Sequence, residues 1–445
     1  MQRIRNLTAL VSIVASGILL AGCGSAPPAP TPPSPVVGIP PTPPPLVTPH
    51  TPVIEKELMI RDLKVVNSQR SRDSHGKWNI RTLFSNMSPN GGDPSAFVLK
   101  WLRTWETPQI VNGFTSAARP TIETLVIKPW VDASGQSGKP DDQVQLDWGK
   151  APFRLLAIVC RTDLAKISPN NVENAGEGRF VFGVLNSTGG ALPFTVIFEY
   201  RLQADSLGKV RDWAKDWHDL GNLGDFDEQY LQALERITDA YSGRGIAPHR
   251  PNGSSLNQLR TDEIALAAPW ELREFNLSPV TGDLISATVK QTPDITFNGS
   301  PTFAKFINDN ETQIVANTLI VPLDFQGQPF LAGSALNPQP VWKAAGINNN
   351  QARHIFAMNT CNGCHGPDGH VPEFTQVHVR EANQVAELSG FLTGVTFSDP
   401  VDGTSITLND LAARSAILQQ QANISATAAS RSLIQLLLQR QNRAD

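Results

Sequence analysis

Apolar positions between residues 54 and 345 follow two rhythms. Runs rich in β-branched and aromatic residues, bounded by Gly, Pro or Asn, predict strands over 153–160, 179–185, 194–202, 272–277 and 284–290. Apolar residues spaced three and four apart predict helices over 96–105, 122–130, 207–217, 227–241 and 301–317. The two types arrive in clusters rather than in strict alternation, so an α+β main domain is expected instead of a doubly wound parallel sheet. Near the end, residues 411–421 and 430–441 read as helices, and Asn348, Asn349 or Asn350 can cap another that runs through Ala352, Ile355 and Phe356. Trp101 with Trp105, and Trp213 with Trp217, sit four residues apart on helical stretches. They could form a platform for a sugar or a haem edge, but tryptophans at this spacing are expected to pack on a sheet.

The first apolar run is of another kind. Residues 7–20 hold no acid or base, follow Arg3 and Arg5, and lead into Ala21-Gly22-Cys23-Gly24-Ser25, the layout of a secretory signal. At about 14 residues the run is shorter than the roughly 20 that span hydrocarbon, so residues 1–22 are expected to be removed. Leu20-Ala21-Gly22-Cys23 resembles the lipobox of bacterial lipoproteins. That resemblance implies a lipid, palmitate among its acyl chains, on Cys23 and a place in the cell envelope. Gly24, where an Asp commonly favours the inner membrane, implies the outer membrane, with the body facing the periplasm or the cell exterior. The plain alternative is a cleaved signal with a chance cysteine. Residues 23–53 then form a linker dominated by proline, as in Pro27-Pro28 and Pro43-Pro44-Pro45. At about 3.1 Å per residue in polyproline geometry, it could extend to roughly 90 Å.

The chain has 445 residues, 40% hydrophobic and 18% charged, so the portion beyond the linker can bury a full core. The expected division is an α+β domain over 54–345 and a smaller domain over 346–445. A formal net charge of -4 without a basic stripe argues against a nucleic-acid partner. No other apolar run approaches spanning length, which leaves the lipid as the expected membrane contact.

With Cys23 set aside, Cys160, Cys361 and Cys364 remain. Cys160 lies in an apolar run and reads as a buried, inert thiol. Cys361-Asn362-Gly363-Cys364-His365 is a C-x-x-C-H run, the attachment signature of c-type haem. Two thiols at that spacing can form thioethers to one porphyrin while the adjacent imidazole takes the proximal position on iron. The segment from Ala352 to Gly369 resembles the haem-binding turn of class I c-type cytochromes. This implies that residues 346–445 form a small, mostly helical, cytochrome c-like domain. That family takes a methionine downstream of the motif as sixth ligand, whereas the last methionine here is Met358. His378, or failing it His370, is the expected substitute. Two rivals use the same residues: a Cys361–Cys364 disulfide, and a zinc site that adds two of His365, His370 and His378. Across its mature length the chain is also similar to uncharacterised secreted bacterial proteins ending in Asn-Thr-Cys-x-x-Cys-His, here residues 359–365, a likeness that brings no activity with it.

Charges gather at the ends of the expected strands: Arg161, Asp163, Glu177, Arg179, Glu199, Glu271, Arg273 and Glu274. If those strands are neighbours the charges converge, either as a polar pocket or as a structural salt-bridge network, and the network is the expected outcome. HExxH, GxSxG and Walker-type motifs are missing from the chain. The function expected is electron transfer by a lipid-anchored haem protein, with a redox or surface partner the sequence does not identify. The alternatives are a non-catalytic binding or structural lipoprotein, and an enzyme that uses Arg161, Glu177 and Glu271 with the haem as relay.

Overall fold

The computed structural model describes residues 50–168, 171–338, 341–425 and 429–440. The signal, Cys23 and the linker through residue 49 lie outside the described residues. The strand patterns become one antiparallel sheet of eight strands. These are β1 Met59–Ile60, β2 Phe153–Arg161, β3 Glu177–Leu185, β4 Ala191–Arg201, β5 Leu256–Glu263, β6 Glu271–Leu277, β7 Leu284–Ala287 and β8 Ala335–Leu336. β1 through β7 lie side by side in chain order, each antiparallel to the next. β8 pairs with the start of β6, where Glu271 stands opposite Leu336.

Because side chains alternate across a strand, this register sorts every residue to one of two faces. Phe180, Phe182, Phe198 and Phe275 leave one face and meet the helices α1 Ile80–Met87, α2 Ser95–Leu102, α3 Leu207–Asp219 and α4 Glu228–Ser242. The rings of Phe84 and Phe198 lie 5.1 Å apart, those of Phe180 and Tyr241 5.8 Å. α3 and α4 start where their sequences say they should: Ser206 accepts from the Lys209 N–H and Asp227 from the Tyr230 N–H. Trp101 and Trp105 stand edge to face at 5.4 Å and are fully buried, so they are core and not a binding platform. Cys160 is buried in the same core, and burial pushes its thiol up to about 12.

The rest of the chain adds α5 Pro301–Asp309, α6 Asn350–Met358, α7 Cys361–Cys364, α8 Asp410–Ala422 and α9 Arg431–Arg440. Here the sequence expectation needs correction: residues 346–445 do not form a small helical, cytochrome c-like domain. α6 packs with α5 through Phe303, Phe306 and Phe356, but the chain beyond it spreads over the second face of the sheet. Val371, Val377, Phe391, Leu392, Leu418 and Leu437 all join the core built on the sheet. Arg380 reaches down to the Leu155 carbonyl at 3.0 Å, and Arg154 donates back to the Arg380 carbonyl at 2.6 Å. The apolar side chains of this segment belong to the same core as the strands and the helices on them, not to a core of their own, so the described residues from 50 onward form a single compact unit. No helix among them is long and apolar enough to cross a membrane.

Candidate cofactor cleft

α6 begins where Asn349 accepts from the Ala352 N–H and runs into a single helical turn that carries the motif. Thr360 caps that turn by accepting from the Gly363 N–H at 3.1 Å, and the Cys361 N–H donates to Thr292 at 2.9 Å. The two residues between the cysteines are fixed by their surroundings. Asn362 accepts from the Trp342 indole at 2.8 Å and donates to the Leu336 carbonyl at 3.0 Å. At Gly363 a Cβ would fall 2.1 Å from the Ala357 carbonyl oxygen. The loop after the motif is tied back by Arg353, which is buried and ion-paired to Asp368 and Asp399.

Cys361 and Cys364 are both buried and carried as thiols, and burial pushes Cys361 up to about 11. His365 lies with its ring parallel to that of Trp270, centroids 5.5 Å apart and planes 21° apart. Its Nδ1 is 2.7 Å from the Phe374 carbonyl oxygen. A carbonyl can only accept, so Nδ1 carries the hydrogen, and in the neutral imidazole the lone pair is then on Nε2, the state in which an imidazole binds a metal. Burial works against protonating His365, yet Asp262, 3.4 Å away, outweighs it and holds the imidazole above its ordinary pKa. Asp262 itself accepts from the Trp270 indole.

Cys361, Cys364 and His365 line a cleft between α7 and the second face of the sheet, with a volume of about 720 Å³ counting its open mouth. The space is narrow, and little of it admits a whole water. Val181, Ile197 and Leu272 form its apolar floor, with Val377, Phe391 and Leu392 opposite.

The remaining wall is ionic, and here the charges singled out in the sequence divide. Arg161, Asp163, Glu177, Arg179 and Glu199 come together. Arg179 bonds Glu177 at 2.7 Å and Glu199 at 3.1 Å, and Arg161 bonds Asp163 at 3.0 Å. Arg440 of α9 closes on Asp163 at 2.7 Å. Glu271 and Arg273 do not join them. Register places both on the opposite face, where Arg119 bridges Glu263 at 2.6 Å and Glu271 at 2.7 Å. In their stead β5 supplies Arg260, which bonds Glu199 at 3.3 Å and Glu274 at 3.1 Å, together with Asp262. Sequence reasoning missed these two because Leu256–Glu263 reads Leu-Asn-Gln-Leu-Arg-Thr-Asp-Glu, too polar to register as a strand. The lattice splits its acids. Burial opposes the Glu177 charge, but Arg179 and Lys290 outweigh it and hold the carboxyl down to about 2. At Glu199 burial prevails over Arg179 and Arg260 and raises the pKa.

Neither histidine considered as a second ligand lines this cleft. His378 pairs with Glu373 at 3.1 Å beside a separate surface depression, and His370 is exposed, stacked on Phe397 at 4.8 Å. The donor set on the cleft wall is therefore two thiols and one imidazole, with guanidinium groups of Arg161, Arg179, Arg260 and Arg414 at its ionic side. By its chemistry that set would suit a covalently attached haem, with the sulfurs meeting its vinyl groups, a His365 ring nitrogen its iron and the arginines its acidic substituents, whereas the cleft as closed here is too narrow for a porphyrin. No family model matches the chain, and no curated protein or solved structure matches it either.

Proposed function

We propose that this protein is a lipid-anchored envelope protein that carries one c-type haem in the cleft and passes electrons to a partner. The observation that carries the reading is the placement of Cys361, Cys364 and His365 together on one wall of a narrow cleft, with the His365 Nδ1 already committed to the Phe374 carbonyl. When bound, the haem supplies one-electron chemistry. The chain's own residues do the rest: the two thiols tether, Trp270 and Phe374 hold the His365 ring in one orientation, and the apolar walls keep water away. The ionic wall can balance acidic groups without leaving a charge alone in the interior. The anchoring itself rests on the likeness of residues 20–23 to a lipobox.

The test is spectroscopic. Exported together with the haem-attachment machinery, the protein is expected to show a Soret band and to retain its pigment on the denatured chain. Cys364→Ala is expected to abolish covalent retention. His378→Ala and His370→Ala are expected to leave the spectrum as it is, since both lie outside the cleft. A colourless product, with a Cys361–Cys364 disulfide found by mass, would favour the binding-protein reading instead.

A further inference from the structure

At the other end of the described chain is a second group of donor atoms that the haem reading does not use. Glu57 is fully buried, at 0% side-chain exposure, yet its ion-pair partners among the described residues are two imidazoles. His50 Nε2 lies 2.8 Å from one carboxylate oxygen and His218 Nδ1 2.7 Å from the other. The two rings stack, centroids 4.1 Å apart and planes 17° apart, so each presents one nitrogen to the same carboxylate. All three ligand atoms fall within 4.8 Å of one another. Gly221 covers them closely: a Cβ there would sit 1.9 Å from Glu57 Oε1 and 2.3 Å from His50 Nε2.

A carboxylate only accepts, so both facing nitrogens carry hydrogens. The buried carboxylate is held by the two rings and by the Val53 N–H, which donates to it at 2.8 Å. A divalent ion can take the place of the two facing hydrogens, bound by one nitrogen of each ring and a Glu57 oxygen. The imidazole protons then reside on His50 Nδ1 and His218 Nε2, which are buried and without hydrogen-bond partners. Two nitrogens and a carboxylate oxygen form a set that suits zinc better than magnesium or calcium.

We infer that His50, Glu57 and His218 form a binding site for a divalent transition ion of the zinc class, which clasps the start of the folded body to α3. His50 and Glu57 belong to the first turns of the described chain and His218 to a helix packed on the aromatic face. The ion therefore closes a loop of more than 160 residues.

The test uses full-length protein in detergent, stripped with a chelator and titrated with Zn2+ by calorimetry, with elemental analysis after dialysis. One zinc per chain is expected, together with a rise in thermal midpoint. His50→Ala is expected to weaken binding by more than the roughly 10–100-fold that losing an outer-shell partner costs. Glu57→Gln is expected to do the same. A Cys361→Ser, Cys364→Ser double variant is expected to bind zinc as the parent does, which separates this site from the cleft. Failure of the parent to take up zinc, equal uptake by His50→Ala, or loss of uptake in the cysteine variant would each overturn the assignment.

Discussion

On one side of β3 the side chains are Phe180, Phe182 and Val184, packed among the aromatic rings of α1 through α4; on the other they are Glu177, Arg179 and Val181, the last two lining the cleft. Both faces are buried, and they are buried by different physics. The aromatic face gains from every Å² it removes from water, and its geometry is set by ring packing. The ionic face gains little from burial and must match each charge with a partner, so it tolerates less rearrangement. A sheet that needed only stability would carry apolar residues on both faces. This one places paired arginines and glutamates beneath the motif-bearing turn, and a second buried set, Arg119 with Glu263 and Glu271, at the end of the other face.

The sharpest way to break the comparison is to remove one large member from each side. Trp105→Ala is expected to cost about 3–5 kcal/mol through a cavity that no neighbour can fill. Arg260→Met is expected to cost a similar ~3–5 kcal/mol, by leaving Glu199 and Glu274 short of a cation. The two should part on rescue. Adding Glu274→Leu to Arg260→Met is expected to recover stability, because an ion pair exchanged for apolar groups is often neutral, whereas no second change of charge restores Trp105→Ala. Urea midpoints followed by tryptophan fluorescence and circular dichroism give the readout.

Smaller effects come from two glycines on the same strand. A Cβ at Gly178 would meet the Tyr241 ring at 2.4 Å, and one at Gly183 would meet the Val379 side chain at 2.4 Å. Gly178→Ala pushes on a ring wedged between other rings, Gly183→Ala on a methyl group of the covering segment. The first is expected to cost about 1–3 kcal/mol and the second less than about 1 kcal/mol. Equal costs would mean that the covering segment is packed as rigidly as the aromatic core.

The smallest expected effect is one of pH, and its sign differs between two buried glutamates. Burial raises Glu263, at the Arg119 end of the aromatic face, to about 7 despite that arginine, which it shares with Glu271. A raised carboxyl contributes stability that is full below about 4.5 and is lost as pH climbs through about 7. Glu177, held down to about 2, works the other way: its contribution is present above about 4.5 and disappears as pH falls toward 2. Glu263→Gln is therefore expected to flatten the decline in stability between pH 5 and 8, by on the order of 1–3 kcal/mol, and to leave the acid limb alone. Denaturant midpoints across pH check both limbs.

Much of the local structure could be read from residues in order. The alternation in 179–185 and the caps at Ser206, Asp227 and Asn349 are short-range signals, and so is the spacing of Cys361, Cys364 and His365. Each depends only on neighbours within a few positions, which the sequence by itself determines. Which charges share a wall depends instead on register across five strands, and a shift of one residue changes the face. Only the tertiary structure could therefore send Glu271 and Arg273 away from Arg161 and Arg179 and bring Arg260 and Asp262 in from a strand too polar to recognise. The same holds for the last hundred residues. Their helical periodicity is local, but whether those apolar stripes build a core of their own or join that of a distant sheet is settled by long-range burial, and here they join it.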